Sequence, residues 1–191
     1  MSIEKLKLKF IGEAPLVQHS GRLANPLDPA TKALKVATGK RNKTDADFEE
    51  VARLEFMGSL YLDESMNVVL PSYLVEAALI EGARKSKQGK QAQAGMYVEA
   101  HARLDYGKPL TPKELWEAAE THRLHVGVRV GQARVMRTRP IFPEWQAEVE
   151  VSYDNQVMNR EAILQIAEVA GHQVGFGDWR PRYGRFTVSE V

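Results

Sequence analysis

The segment GFGDWRPRYGRF, residues 175–186, carries the densest set of side chains that could contact a ligand. Arginine makes forked contacts with phosphate and stacks on bases, and aromatic side chains are stacking platforms in proteins that bind single strands. The segment therefore predicts a nucleic-acid-binding surface. Its expected contact residues are Arg180, Arg182, Tyr183 and Arg185. Trp179 and Phe186 fit a core position equally well, and the three glycines and the proline also fit a loop that joins a last strand to the domain.

Positive charge is also concentrated in other segments, although the formal net charge is only +1. Thr121–Pro143 holds five arginines and no acidic residue, and residues 82–93 and 31–43 are acid-free and lysine-rich. Segregated charge can create a local positive field on a nearly neutral protein. The additional residues predicted to contact a nucleic-acid backbone are Lys85, Lys87, Lys90, Arg134, Arg137 and Arg139. Ordinary solvated loops remain the alternative for each segment.

Catalytic and cofactor signatures are weak. His122 and His125 straddle the start of a strand without a carboxylate at a metal-binding spacing, so we expect no metal. No glycine pattern has the spacing of a phosphate-binding or dinucleotide-binding loop. Asp45 and Asp47 fit a helix start better than an acid–base pair. We therefore predict no catalytic residue, no cofactor and no enzymatic activity; a small hydrolase using His19 or His101 is a third hypothesis.

The bulk composition is that of a soluble protein. The chain has no cysteine, which excludes disulfides and thiolate metal sites. It has no apolar run of the roughly 18 residues that a membrane span requires, and its first residues lack the apolar run of a signal peptide. These features predict a cytoplasmic protein that does not bind membranes.

Alternating and helical patterns predict the main elements. Residues 4–10 alternate lysine with apolar residues. Residues 145–153 alternate apolar with polar residues, and Glu148 and Glu150 lie on the polar face. If these two strands are neighbours, their lysines and glutamates form cross-strand ion pairs. Four helices are also predicted. One is a buried helix over residues 73–86, one is capped by Asn159 and ended by Gly171, one is opened by Thr44 with Phe48, Val51 and Leu54 at helical spacing, and one is opened by Thr111. A long strand is predicted over residues 124–142, with a bulge at Gly131.

Taken together, the elements predict an α+β fold. A single domain over residues 1–191 would hold two layers, with helices packed on one face of a mainly antiparallel sheet. A ferredoxin- or RRM-like topology is favoured because the C-terminal half reads strand, strand, helix, strand. An unrelated α+β sandwich is the alternative.

Residues 68–86, VVLPSYLVEAALIEGARKS, resemble the strand–Pro–Ser–helix element of RAMP proteins, the RRM-like subunits that coat the guide RNA in CRISPR effector complexes. Val69, Leu70, Pro71 and Ser72 match that pattern, whereas the glycine of the usual turn is absent. The resemblance implies an RRM-like fold and RNA binding, with GFGDWRPRYGRF as a loose equivalent of the glycine-rich RAMP loop. The overall pattern also resembles small uncharacterised proteins of phages and prophages.

These observations favour a non-enzymatic protein of phage or prophage type that binds RNA or single-stranded DNA. A protein–protein interaction module is the alternative, either a virion subunit or an inhibitor of a host complex, because arginine and aromatic residues are also enriched at interface cores. A protein partner or self-assembly is compatible with both hypotheses, the nucleic-acid binder and the interaction module.

Overall fold

The computed structural model describes residues 2–191 and divides the chain into two compact units. Unit 1 is built from the chain up to Val17, Leu62–Pro109 and Pro143–Val191, and unit 2 from Gln18–Tyr61 and Leu110–Phe142. The single domain predicted over residues 1–191 stays a prediction, since a compact unit made of several chain segments is not by itself an independently folding domain.

Nine strands and seven α-helices are described in residues 2–191. In chain order they are β1 Ile3–Gly12, β2 Leu16–Val17, α1 Pro29–Gly39, α2 Asp45–Ser59, β3 Val69–Leu70, α3 Ser72–Lys85, α4 Gly89–Gly95, β4 Met96–Tyr97, β5 Ala102–Arg103, α5 Pro112–Glu117, α6 Ala119–His122, β6 Arg123–Val130, β7 Ala133–Phe142, β8 Gln146–Asp154, α7 Arg160–Gln173 and β9 Phe186–Glu190. No helix in these residues is both long and apolar enough to cross a membrane.

Unit 1 contains a four-stranded sheet in the order β4-β8-β1-β9, and every neighbouring pair is antiparallel. Helix α3 lies between β1 and β4 in the chain, and α7 lies between β8 and β9. A strand–helix–strand–strand–helix–strand succession with this strand order is the ferredoxin-like arrangement. The predicted α+β fold with a mainly antiparallel sheet is therefore confirmed.

The register of β1 against β8 places all lysines of β1 opposite polar residues. Lys7 pairs with Glu150 and Lys9 with Glu148, and the Lys5 Nζ atom lies 2.5 Å from a Glu150 carboxylate oxygen. The hydrogen bond and charge of Lys5 lower the pKa of Glu150. The predicted cross-strand ion pairing is confirmed for Lys5 with Glu150; for Lys7 and Lys9 only the facing positions are established. The apolar residues of both strands form the opposite, buried face: Leu6, Leu8, Phe10, Ala147, Val149 and Val151.

An aromatic cluster closes one end of this core. The rings of Phe176 and Phe186 stack with centroids 4.3 Å apart, and Phe10 lies 4.8 Å from Phe186. Trp145 is also buried, and its indole Nε1 donates to the Ala14 carbonyl over 2.9 Å. Phe186 is therefore a core residue, which is the alternative that the sequence analysis gave for it.

Helix α7 starts as predicted but ends later than predicted. The Asn159 side chain accepts from the backbone N–H of Ala162 over 2.8 Å, which caps the helix. Gly171 does not end α7, which continues to Gln173. A Cβ atom at Gly171 would overlap the carbonyl oxygen of Phe186, so glycine allows α7 and β9 to approach each other closely.

Unit 2 combines helices α1, α2, α5 and α6 with a hairpin formed by β6 and β7. The sequence prediction of one long strand with a bulge at Gly131 is wrong. Val130 pairs directly with Ala133, and the two residues between them form the turn, with Gly131 at φ 60°. A two-residue hairpin turn needs a positive φ, which glycine adopts without strain.

The two ends of the first segment of unit 2, Gln18–Tyr61, are joined by hydrogen bonds. The Gln18 side-chain oxygen accepts from the Tyr61 backbone N–H over 2.9 Å, and the Tyr61 hydroxyl donates to the His19 carbonyl over 3.0 Å. Ser20 N–H donates to the Ser59 carbonyl over 3.0 Å. Helix α2 between these ends has the predicted capping box of Thr44 and Asp47.

Gly171→Ala should destabilise the protein by about 1–3 kcal/mol, because the added methyl group overlaps rigid backbone of β9. Urea unfolding followed by circular dichroism measures this. Gly39→Ala is the matched control, since nothing lies within 4 Å of a Cβ at that helical glycine. Equal stability of the two variants would contradict the close approach of α7 and β9.

Candidate nucleic-acid interface

The C-terminal loop, residues 175–185, is anchored to unit 1 through its backbone. Gly184 N–H donates to the Pro15 carbonyl and Asp178 N–H to the Val17 carbonyl, both over 2.8 Å. Gly177 has φ 78°, and a Cβ there would overlap the Val17 carbonyl oxygen. Much of the glycine content of this loop therefore has a structural cause.

The side chains of the C-terminal loop extend away from this anchored backbone. Arg180, Arg182 and Arg185 are exposed, and none of them forms an ion pair with another of residues 2–191. Tyr183 and Trp179 are half-buried, with ring centroids 6.2 Å apart. The guanidinium carbon of Arg182 lies 6.0 Å from the Tyr183 ring centroid. The loop thus combines an aromatic pair with three cations that form no ion pair within the described part of the chain.

The lysines predicted as backbone contacts lie where α3 ends. Lys85, Lys87 and Lys90 are all exposed. Lys87 has φ 62°, a left-handed conformation in which the backbone turns from α3 into α4. The hydrogen bond from Gln88 N–H to the Ala83 carbonyl, 2.8 Å long, closes this turn.

These lysines and the C-terminal loop lie at opposite ends of the sheet. Helix α4 leads into β4, whose Met96 pairs with Tyr153 near the Ile3 end of β1. The C-terminal loop leads into β9, whose Phe186 pairs with Gly12 at the other end of β1. Ten strand residues span roughly 30 Å. The structure therefore does not bring these two predicted groups into one site.

The three predicted arginines of β7 have different environments. Arg134 is exposed, Arg137 is partly buried, and Arg139 is only 5% exposed. Arg139 Nη2 lies 3.3 Å from His19 Nε2, and its Nη1 lies 3.9 Å from a carboxylate oxygen of Glu55. Arg139 is therefore buried and does not form part of an exposed cationic surface, in contrast to the prediction.

Glu55 is the buried anion that organises this part of unit 2. Its residue exposure is 3%, and one carboxylate oxygen accepts from Arg137 Nη1 over 2.6 Å. The other oxygen accepts from the backbone N–H of Thr138 over 2.9 Å. A buried carboxylate requires such charged and hydrogen-bonding partners. Glu55 thereby fixes helix α2 against strand β7.

A groove of about 800 Å³ lies between α2 and the β6–β7 hairpin, and we call it the hairpin groove. It is lined by Thr38, Lys43, Phe48, Glu49, Val51, Ala52, Glu55, Trp116, Arg123, His125, Arg134, Val135, Met136, Arg137 and Thr138. Sequence reasoning missed Phe48, Trp116 and Arg123 as site residues. Phe48 shares helical spacing with Val51 and Leu54, a pattern that is typical of a core face, yet Phe48 is 59% exposed.

Arg123 and His125 form the polar part of the hairpin groove. The guanidinium carbon of Arg123 lies 3.7 Å from the centre of the Trp116 ring, a cation–π contact. The His125 Nδ1 atom lies 3.0 Å from the Thr138 hydroxyl. Partial burial lowers the pKa of His125, the positive charge of Arg123 lowers it further, and the charge of Glu55 opposes both.

Within residues 2–191, no three His, Asp or Glu side chains come together in a cluster that could hold a metal ion. His122 is 7% exposed, and its Nδ1 atom lies 3.0 Å from the Ile141 carbonyl oxygen. His101 Nδ1 accepts from the Ser72 backbone N–H over 3.1 Å. Both imidazoles thus have local structural partners.

The sequence matches no protein-family model and no curated protein. Among solved structures, the chain is similar to one described as the crystal structure of Cmr6 from Pyrococcus furiosus. The TM-score is 0.40 and the sequence identity 11%, over 100% of both chains. A likeness at this score and identity carries no functional conclusion. The RAMP resemblance of residues 68–86 and the phage setting therefore stay predictions.

Glu55→Ala should cost about 3 kcal/mol of stability, because it removes the buried carboxylate that accepts hydrogen bonds from Arg137 Nη1 and from the Thr138 N–H. Glu50→Ala on the same helix is the matched control. Glu50 pairs with Arg53 at the surface, so its loss should cost at most about 1 kcal/mol. Urea unfolding of both variants gives the comparison, and equal losses would contradict the anchoring role of Glu55.

The imidazole of His125 should titrate below its ordinary pKa of 6.5. Because the folded-state pKa is depressed, the group's contribution to stability is present above pH 6.5 and is lost as the pH falls below that value. An NMR titration of the imidazole C–H signals measures the midpoint directly. Arg123→Ala should move the midpoint upward, since it removes a neighbouring positive charge; an unchanged midpoint would show that Arg123 does not act on His125.

Proposed function

We propose that the protein is a non-enzymatic binder of single-stranded nucleic acid, either RNA or DNA. The observation that carries this proposal is the C-terminal loop, with Arg180, Arg182 and Arg185 exposed and without a carboxylate partner in residues 2–191, next to the half-buried ring of Tyr183. Cations that follow a phosphate backbone and aromatic rings that stack on bases are the combination found in proteins that bind single strands.

Ion pairing separates the loop arginines from several other arginines at the protein surface. Arg22, Arg53, Arg84 and Arg160 each pair with an acidic side chain. Such pairs balance charge within the molecule and leave little field outside it. The arginines of the C-terminal loop instead keep their charge available for an anionic ligand.

The assignment of roles follows from exposure. Arg180, Arg182 and Arg185 contact phosphates, and Tyr183 supplies a stacking surface. Arg134, together with Lys85, Lys87 and Lys90, extends the cationic surface in its own part of the chain, whereas the charge of Arg137 is paired with Glu55. The finer proposals are a cytoplasmic setting and a phage or prophage origin, the latter resting on the sequence resemblance alone.

A protein–protein interaction module is the second candidate, as a virion subunit or an inhibitor of a host complex. Unit 2 exposes large apolar side chains, with Leu27 at 74% and Val36 at 72% exposure. Exposed apolar residues together with arginine and aromatic residues are typical of interfaces. Light scattering separates the candidates, because a virion subunit assembles in solution whereas a nucleic-acid binder can remain monomeric.

Combined substitution of Arg180, Arg182 and Arg185 by alanine should weaken binding to a fluorescein-labelled oligothymidylate at low salt. Each lost phosphate contact removes one released counterion, so the slope of log K against log salt should fall by about two. Fluorescence anisotropy at several salt concentrations measures both the affinity and the slope.

The control for this experiment is Arg160→Ala. Arg160 is exposed in the same unit but pairs with Glu190, so its removal should leave affinity and slope unchanged. Failure of the unsubstituted protein to bind at low salt would reject the proposed function. A triple variant with unchanged affinity would reject the C-terminal loop as its site.

A further inference from the structure

The hairpin groove has an exposed apolar side chain on each of its two walls. Phe48 on α2 is 59% exposed, and Met136 on β7 is 64% exposed. Neither side chain contributes to the buried core of unit 2. A volume of about 800 Å³ lies within the range of small-molecule sites. The groove therefore offers apolar contact area that the folded chain does not itself cover.

The guanidinium of Arg123 is positioned in the same groove by its contact with Trp116. The guanidinium carbon lies 3.7 Å from the centre of the Trp116 ring, and Trp116 packs edge-on against Phe56 with centroids 5.5 Å apart. The Nε atom of Arg123 is buried and has no hydrogen-bond partner in residues 2–191. A guanidinium plane fixed on one side by an aromatic ring can stack on a base with its other side.

The charge of the hairpin groove favours an anionic ligand. Its lining holds four cations, Lys43, Arg123, Arg134 and Arg137, against Glu49 and Glu55. Arg137 already occupies one carboxylate oxygen of Glu55. In the hairpin, Arg134 lies directly opposite Arg129, and like charges at such a position destabilise a sheet. An anion near Arg134 would relieve this repulsion.

We propose that the hairpin groove binds one unpaired base of the nucleic-acid strand, stacked on Phe48 and on the Arg123 guanidinium, with its phosphate next to Arg134. This inference rests on the proposed function and adds a base-contacting site in unit 2. The faces of a base are covered by neighbouring bases in a duplex and are accessible in a single strand. The groove therefore selects single strands over duplexes.

The test compares two fluorescein-labelled strands of equal length and charge, an oligothymidylate and a strand whose residues are all abasic. The protein should bind the oligothymidylate roughly tenfold or more tightly, since the abasic strand offers phosphates without stacking. Phe48→Ala should reduce this preference severalfold, leaving the part that stacking on Tyr183 supplies, and should leave the affinity for the abasic strand unchanged. Arg134→Gln should weaken binding of both strands because it removes a phosphate contact.

Leu27→Ala is the matched control, since Leu27 is an exposed apolar residue of unit 2 that does not line the groove. It should keep the full preference for the oligothymidylate. Equal binding of both strands by the unsubstituted protein, or an unchanged preference in Phe48→Ala, would overturn the base-binding site while single-strand binding stands. Binding of neither strand at low salt would instead overturn the proposed function itself.

Discussion

The register of strand β1 is the constraint on which unit 1 depends. This strand pairs with β8 on one side and with β9 on the other, and its alternation sends Leu8 and Phe10 to the core and Lys7 and Lys9 to solvent. A slip by one residue would bury the lysines and expose the phenyl ring. The C-terminal loop leads into β9, and its position therefore follows from the same register.

Strong local patterns made part of this fold predictable. The alternation in β1 and β8 and the capping sequence at Asn159 are each encoded within about ten residues, and the structure confirms them. The turn at Gly131 was not predictable in this way. A change of alternation phase at a glycine fits a bulge as well as a hairpin turn, and only the pairing of β6 with β7 distinguishes them.

The candidate sites show the same limit. The C-terminal loop is contiguous in sequence, so its arginines and aromatic residues could be recognised together. Arg134 and Arg139 lie five residues apart on one strand, yet one is exposed and the other is buried near Glu55. Phe48 has the spacing of a core residue but lines a groove. Contacts between distant segments decide these environments, and composition does not encode them.

The closed ends of the first segment of unit 2 bear on how such a protein can change over evolutionary time. Because Gln18 and Tyr61 are joined by a hydrogen bond, the intervening chain returns to where it started. A connection within such a segment can lengthen or shorten without displacing the ends of the segment. The connection between α1 and α2 is therefore the place where changes of length are most easily tolerated, because α2 itself is fixed against β7 by Glu55.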